Sequence, residues 1–166
     1  MEASIRPGTE EDIAALRDAL ILALAWRDSA FPPDPERYLR DSGHGHLIER
    51  WGRAGDSAFI AEAAAGIAGV AWYRFWTRED HSYGFVDESI PELGIGVHHP
   101  YRGRGIGKAL LVRLLEHARQ QGIGAVSLSV ERDNPALRLY SRLGFVVVGD
   151  VGNAHTMVRT LKPPGP

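Results

Sequence analysis

The segment LGIGVHHPYRGRGIGKALL, residues 93–111, decides the fold of this 166-residue chain. Its first part, LGIGVH, alternates apolar and small side chains, and this alternation predicts a short strand. Its last part begins an amphipathic helix that stops at Gly122, with an apolar stripe formed by Ile106, Leu110, Leu114 and Ala118. A glycine-rich turn therefore joins a strand to the N-terminus of a helix.

This turn, RGRGIGK at residues 102–108, has the composition of an anion-binding loop. Glycines let the backbone approach a ligand closely, and the N–H groups of a helix's first turn have no partner within the helix. Three cationic side chains add the positive charge that suits a di- or polyphosphate. We therefore predict that phosphate is bound by Arg102, Gly103, Arg104, Gly105, Ile106, Gly107 and Lys108.

Two common phosphate-binding motifs do not fit the turn. A Walker A loop needs a glycine five residues before its Gly-Lys pair and Ser or Thr after it, but this chain has Arg102 and Ala109 there. The dinucleotide fingerprint G-x-G-x-x-G/A fails because its last position falls on Lys108 or Leu110. The turn does match the pattern R/Q-x-x-G-x-G/A, with Arg102, Gly105 and Gly107.

On either side of this segment, hydrophobic periodicity predicts further strands and helices. Their order is strand, helices, several strands, helix, strand, helix and two strands. This order indicates an α/β fold with a mixed sheet and helices on both faces. The predicted strands are residues 4–6, 58–61, 67–76, 93–98, 125–130, 145–148 and 155–161.

Local signals mark the starts of two helices. Thr9 and Asp12 have the spacing of a capping box, and Asn134 with Pro135 is typical of an N-cap and first helical position. A weaker helix is expected around residues 36–53, interrupted by Gly43-His44-Gly45. In the strand at residues 125–130, the alternation predicts that apolar side chains point inward and that the two serines, Ser127 and Ser129, point outward.

Composition limits the class of protein. The absence of cysteine excludes disulfides, thiol nucleophiles and thiolate metal sites. The length, with 44% hydrophobic and 24% charged residues, predicts one globular domain over residues 1–162 and a flexible tail at 163–166. We expect a cytoplasmic protein with no membrane partner, because no secretory signal is visible and the longest apolar run, 14–26, is too short for a bilayer.

Charge is distributed unevenly along the chain. The net charge of −2 leaves no basic footprint for nucleic acid, so no nucleic-acid partner is expected. Residues 1–90 carry a net charge of −7, whereas residues 91–166 carry +5. This asymmetry indicates a cationic partner for the first part and an anionic one for the second, unless the two parts fold into one mixed surface.

Two motifs together carry a family resemblance. The segment 93–111 resembles the acyl-CoA-binding motif of the GCN5-related N-acetyltransferases, and NPALRLYSRLGF at 134–145 is similar to their following motif, N-x-x-A-x-x-x-Y-x-x-x-G-F. The alanine lies one place earlier here than in the usual form. The resemblance implies an acyl-CoA N-acyltransferase fold with a mostly antiparallel central sheet, splayed at a wedge for the cofactor.

The resemblance also implies how acetyl-CoA is bound. Its pyrophosphate would lie on the backbone N–H groups of residues 102–108, and its pantetheine arm would pair with the strand at Ile95 and Val97. A backbone N–H near Val97 is a candidate oxyanion donor. Asn134 would reach the arm, cap its helix, or do both. No metal is implied, and the pairs His44/His46 and His98/His99 lack a third ligand or a shared face.

Tyr140 matches the family's general acid. A phenol with a pKa of about 10 is protonated at neutral pH, so it can donate to the thiolate expelled from a tetrahedral intermediate. Glu92 stands where some members hold their general base, and Gly94 and Gly96 on the same face would leave room for substrate or water. The alternatives are an aromatic packing role for Tyr140, a solvated strand end for Glu92, and a base supplied by Asp87, Glu88 or His98.

The resemblance therefore predicts an N-acetyltransferase that transfers acetyl from acetyl-CoA to a primary amine by direct attack. The acceptor is expected to be a cationic small-molecule or peptide amine. A non-catalytic acyl-CoA-binding module is the alternative from another class, and an unrelated nucleotide-binding protein is the third. The sequence does not define an oligomeric state, and a homodimer is compatible with it.

Overall fold

The computed structural model describes residues 2–165 and contains seven strands in one mixed sheet, in the order β1-β2-β3-β4-β5-β7-β6. The strands are β1 (Ser4–Pro7), β2 (Ser57–Ala63), β3 (Gly66–Arg74), β4 (Glu92–Val97), β5 (Ala125–Glu131), β6 (Val146–Val151) and β7 (Ala154–Thr160). The helices are α1 (Ile13–Leu24), α2 (Pro35–Ser42), α3 (Ile106–Gln120) and α4 (Ala136–Arg142). The predicted α/β class and the order of elements are confirmed.

The pairing of strands is mixed. Strands β1 and β2, β5 and β7, and β6 and β7 are antiparallel, whereas β4 and β5 are parallel. The chain divides into two compact units, a first unit of residues 2–72 with 94–114 and a second unit of residues 73–93 with 115–165. Of the predicted tail, residues 163–165 have no helix or strand, and Pro166 lies outside the described residues.

In the first unit, α1 packs on β2 and β3. The capping box is confirmed, since the Thr9 N–H donates to Asp12 Oδ2 at 2.8 Å and the Thr9 side chain accepts from the backbone in return. A short 3₁₀ turn at Glu10–Asp12 leads into α1. The helix then buries its apolar stripe in a cluster formed by Leu16, Ala19, Leu20, Ile48, Ala58, Ile60, Val70 and Trp72.

The interruption predicted at residues 43–45 is confirmed, because α2 ends at Gly43, whose φ of +72° is the left-handed conformation that closes a helix. Beyond it the helix predicted as far as residue 53 is wrong, since the chain forms only a short 3₁₀ turn at Gly45–Ile48. A second prediction about this unit is also wrong. Gly94 and Gly96 do not leave room for substrate. A Cβ on Gly94 would lie 2.5 Å from Trp72 Cζ2, and one on Gly96 would overlap the Ala19 carbonyl oxygen of α1. The missing side chains of these glycines allow Trp72 and the backbone of Ala19 to pack against β4.

Strand β5 lies between β4 and β7 in the sheet, and its middle, Val126, Ser127 and Leu128, is buried on both faces, whereas Ser129 is partly exposed. Val126, Leu128 and Val130 are at most 4% exposed, as predicted for the inward side. Ser127 was expected to point outward and is instead fully buried. The alternation identified the strand correctly, but a strand in the middle of a sheet has no solvent side when both faces are covered.

No helix within residues 2–165 combines the length and the apolar character needed to cross a membrane.

Candidate functional site

The glycine-rich turn has the geometry of a backbone cradle. Gly103 and Gly105 have φ angles of +73° and +80°, a region that side chains rarely adopt, and no atom lies within 4 Å of the position a Cβ would take on either. The first bond of α3 runs from the Ala109 N–H to the Gly105 carbonyl at 3.0 Å. The N–H groups of residues 106–108 lie before this bond and have no carbonyl partner within the helix, so they can bind an anion.

Positive charge surrounds this cradle. Arg102, Arg104 and Lys108 are all exposed on the first unit. The Arg102 Nε donates to the Val97 carbonyl at 2.9 Å, which ties the turn to the end of β4. The turn thus offers open space, unpaired helix-start N–H groups and three cations together, and these features fit the pyrophosphate of an acyl-CoA.

The ligand-facing edge of β4 follows from its hydrogen bonds. The His98 N–H donates to the Ala68 carbonyl of β3 at 2.9 Å. Because backbone groups of successive strand residues point to opposite edges, the N–H groups of Ile95 and Val97 point away from β3. Their contact with pantetheine, and the splay of the sheet beside them, stay predictions.

We expect replacing Gly105 by alanine to weaken acetyl-CoA binding by about tenfold, since the new Cβ would strain a left-handed φ and stand in the cradle. Titration calorimetry with acetyl-CoA measures the change. Gly124→Ala is the matched control, because nothing lies within 4 Å of its Cβ position and its φ is not left-handed. Equal affinities for the two variants would contradict a binding role for the turn.

Asn134 stands at the start of α4. Its Oδ1 accepts from the Ala136 N–H at 2.9 Å, and its carbonyl accepts from the Leu137 N–H at 3.1 Å. The capping interpretation is confirmed, although the helix begins at Ala136, one residue later than predicted. A side-chain contact from Asn134 to the pantetheine arm stays a prediction.

Tyr140 lies inside the second unit and is 8% exposed. Its ring contacts Phe145 edge-on, with centroids 6.0 Å apart, and its carbonyl accepts from the Phe145 N–H at 3.1 Å. Burial raises the pKa of Tyr140 to about 12. The phenol therefore keeps its proton at neutral pH, as a general acid requires, while the ring also packs as the alternative interpretation proposed.

Glu92 opens β4, directly opposite Ser127 of β5. Its Oε2 accepts from the Gly84 N–H at 3.1 Å, whereas its Oε1 is buried and has no partner among the described residues. Burial raises the pKa of Glu92 to about 7, although hydrogen bonds from Ser82 and Gly84 and the charge of His81 act in the other direction. Glu92 is therefore not a solvated strand end.

The competing bases have different surroundings. The hydroxyl and N–H of Ser89 donate to Asp87 Oδ2 at 2.6 and 3.0 Å, and these bonds hold the pKa of Asp87 below its usual range. Glu88 is exposed and accepts from the Arg78 N–H. Burial lowers the pKa of His98, whose ring lies beside Phe31. Of the three carboxylates, Glu92 is the one whose pKa burial raises, to about 7.

No cluster of three or more His, Cys, Asp or Glu side chains able to hold a metal ion occurs within the described part of the chain.

Sequence reasoning missed the surroundings of Glu92. The segment from Ser82 to Gly84 folds against the carboxylate, and a Cβ on Gly84 would lie 2.7 Å from Glu92 Oε2. No local pattern marks this loop, because the contact is made by tertiary packing. The sequence did contain a signal for Ser127, a hydroxyl within an apolar strand. A polar side chain at such a position indicates either solvent exposure or a buried polar site, and the second applies here.

A model of the acetyltransferase (GNAT) family matches residues 20–145. Mycothiol acetyltransferase of Actinosynnema mirum is 32% identical over 143 residues, which are 86% of this chain and 43% of the relative. L-methionine sulfoximine/L-methionine sulfone acetyltransferase of Pseudomonas aeruginosa is 35% identical over 101 residues, 60% of this chain and 56% of the relative. The chain thus spans about half the length of these curated relatives.

Solved structures resemble the chain over almost its whole length. The PaiA N-acetyltransferase of Thermoplasma acidophilum, solved with coenzyme A, has a TM-score of 0.68 at 19% identity and covers 96% of this chain and 99% of its own. An N-acetyltransferase of Staphylococcus aureus Mu50 has a TM-score of 0.67 at 20% identity, covering 98% and 100%. At these identities the likeness establishes the fold alone.

Proposed function

The chain belongs to the GNAT acetyltransferase family, and on this basis we propose that it transfers the acetyl group of acetyl-CoA to a primary amine. The observation that carries the proposal is the open, left-handed glycine turn at the start of α3, with its three exposed cations. This turn would hold the pyrophosphate on the backbone N–H groups of residues 103–108. Ile95 and Val97 would pair with the pantetheine arm, and the Asn134 amide would donate to it.

The bound donor supplies a thioester carbonyl for attack by the amine. An amine with a pKa near 10 is mostly protonated at neutral pH, and reaching the free base costs about 4 kcal/mol. Glu92 would take that proton, because its pKa of about 7 leaves a substantial fraction ionised while still allowing it to hold a proton. The Val97 N–H would donate to the carbonyl oxygen as negative charge develops there.

Tyr140 would supply the proton that the departing sulfur needs. The hydroxyl is protonated at neutral pH, where its pKa of about 12 lies far above the pH, so it has a proton to give as negative charge develops on the sulfur. The presence of both a buried carboxylate and a protonated phenol supports catalysis over a module that only binds acyl-CoA.

The acceptor that we propose is a cationic small-molecule amine. The net charge of −7 over residues 1–90 favours a cation. The two curated relatives are named for acetylation of mycothiol and of methionine sulfoximine or sulfone. These names support a small acceptor, although the chain matches only part of each relative.

Thermal unfolding with added ligand tests the donor. Acetyl-CoA at 100 times its Kd should stabilise the chain by about 2.7 kcal/mol and raise Tm by roughly 5–10 °C. ATP and NAD at matched concentrations are the controls, because both carry phosphates but the turn fits neither of their common motifs. An equal shift with ATP, or none with acetyl-CoA, would refute the assignment of the turn.

A panel of amines then tests the acceptor, read by release of free thiol. Cationic small molecules should be acetylated in preference to neutral amines of similar size, and the preference should weaken as salt is added. Acetylation of lysine-containing peptides alone would exclude the small-molecule acceptor while retaining the transferase reaction.

A further inference from the structure

Three buried polar atoms of the second unit have no hydrogen-bond partner among the described residues: the Ser127 hydroxyl oxygen, Glu92 Oε1 and Arg159 Nε. Two of them, on Ser127, which has no exposed surface, and on Glu92, belong to residues that are paired with each other. Buried polar groups in folded proteins are almost always hydrogen-bonded, to protein or to ordered water. Two such atoms on residues paired with each other indicate a shared partner that is not a protein group.

The register places the two residues that carry these atoms side by side. Glu92 and Ser127 are directly paired residues of the parallel strands β4 and β5, and the Ser127 N–H donates to the Pro91 carbonyl at 2.9 Å. Side chains of directly paired residues lie on the same face of a sheet, and neighbouring strands are about 4.8 Å apart. A single water molecule can therefore span the two side chains.

The rest of the carboxylate already has hydrogen-bond donors. The Gly84 N–H donates to Oε2 at 3.1 Å, Ser82 also donates to the carboxylate, and the absence of a side chain at Gly84 lets this loop lie against both Oε2 and the Leu128 backbone. The loop therefore holds the carboxylate and leaves Oε1 without a partner among the described residues. An oriented carboxylate with one unused oxygen is suited to a proton acceptor that works through water.

We propose that Ser127 is a positioning residue for Glu92, and that its hydroxyl and Glu92 Oε1 together bind one water molecule through which Glu92 takes the proton of the acceptor amine. The inference rests on the proposed function. The water donates one hydrogen to Oε1 and the other to Ser127 Oγ, which turns its lone pair toward the ammonium group. When the ammonium N–H bond breaks, the water gains that proton and passes one of its own to Oε1. A neutral amine, water and a protonated Glu92 result.

Ser127→Ala tests the inference by steady-state kinetics. It should lower kcat about tenfold and leave the KM for acetyl-CoA unchanged, because the removed hydroxyl orients only the water. Ser129→Ala is the matched control, since Ser129 lies on the same face of β5 but is paired with Thr156. In a Glu92→Gln background, Ser127→Ala should cause no further loss, because the base on which it acts is gone.

A titration of Glu92 followed by carbon-13 NMR does not depend on activity. Ser127→Ala should raise the midpoint by about one pH unit, because the water that donates to the ionised Oε1 loses its second protein partner and no longer holds that hydrogen bond. An unchanged midpoint, or an equal loss of kcat in the Glu92→Gln background, would overturn the inference. If the wild-type chain acetylates no amine but the midpoint still moves, the proposed function fails while the coupling of Ser127 to Glu92 stands.

Discussion

Replacing Tyr140 by phenylalanine is expected to lower kcat by about 100-fold, while the Kd for acetyl-CoA stays within about twofold. The variant removes one hydroxyl and leaves the ring packed against Phe145, so the second unit keeps its structure. Without the phenol, the departing sulfur must leave as a thiolate or take its proton from water. Loss of a positioned general acid commonly costs a factor of 10²–10⁴. Single-turnover thiol release and calorimetry measure the two quantities separately.

Tyr83→Phe is the control for this variant, because the same hydroxyl is removed from a side chain that is 58% exposed. Its kcat should match that of the wild type. The unfolding temperature of Tyr140→Phe should stay within about 2 °C, since no hydrogen bond of the Tyr140 hydroxyl is described within residues 2–165. An unchanged kcat would reduce Tyr140 to a packing role.

Local signals predicted much of this architecture. The Thr9–Asp12 capping box, the apolar stripe of α3 and the left-handed stop at Gly122 depend on residues close together in sequence, so short patterns contain them. The glycine turn was predictable for the same reason. Its two left-handed glycines and the helix that follows form one continuous segment.

Features that depend on distant packing were not predictable. From the sequence, Gly94 and Gly96 predict an open space beside β4, because neither residue has a side chain. In the structure, Trp72 and the backbone of α1 occupy that space. Ser127 is one of the polar residues in a strand that alternates apolar and polar side chains, and the alternation alone predicts that it faces solvent. It is buried because β5 has a neighbouring strand on each side and both faces of the sheet are covered at this residue. The surroundings that raise the pKa of Glu92 depend on the same kind of long-range contact.

Replacing Glu92 by glutamine is expected to lower kcat/KM for the acceptor by about 100-fold at pH 8 and to remove the acidic limb of the pH profile. In the wild type the base must be ionised, so kcat/KM should rise with pH through about 7, the pKa to which burial raises this carboxyl, and then level off. Glutamine cannot take a proton, so the variant should show no inflection there. Initial rates between pH 5.5 and 9 measure the profile, and acetyl-CoA affinity should be unchanged.

Glu92→Gln should also stabilise the fold at high pH. A variant that loses activity while gaining stability has lost a catalytic group, not its structure. The pKa of Glu92 rises from 4.5 to about 7 on folding, so the native state binds the proton more tightly. The contribution of Glu92 to the free energy of unfolding should therefore fall as pH rises from about 4.5 to 7, by about 3 kcal/mol. Glutamine keeps an acceptor for the Gly84 N–H without a buried charge, so denaturant unfolding at pH 8 should show a more stable variant. A variant that is both less active and less stable at pH 8 would contradict the assignment of Glu92 as a buried base.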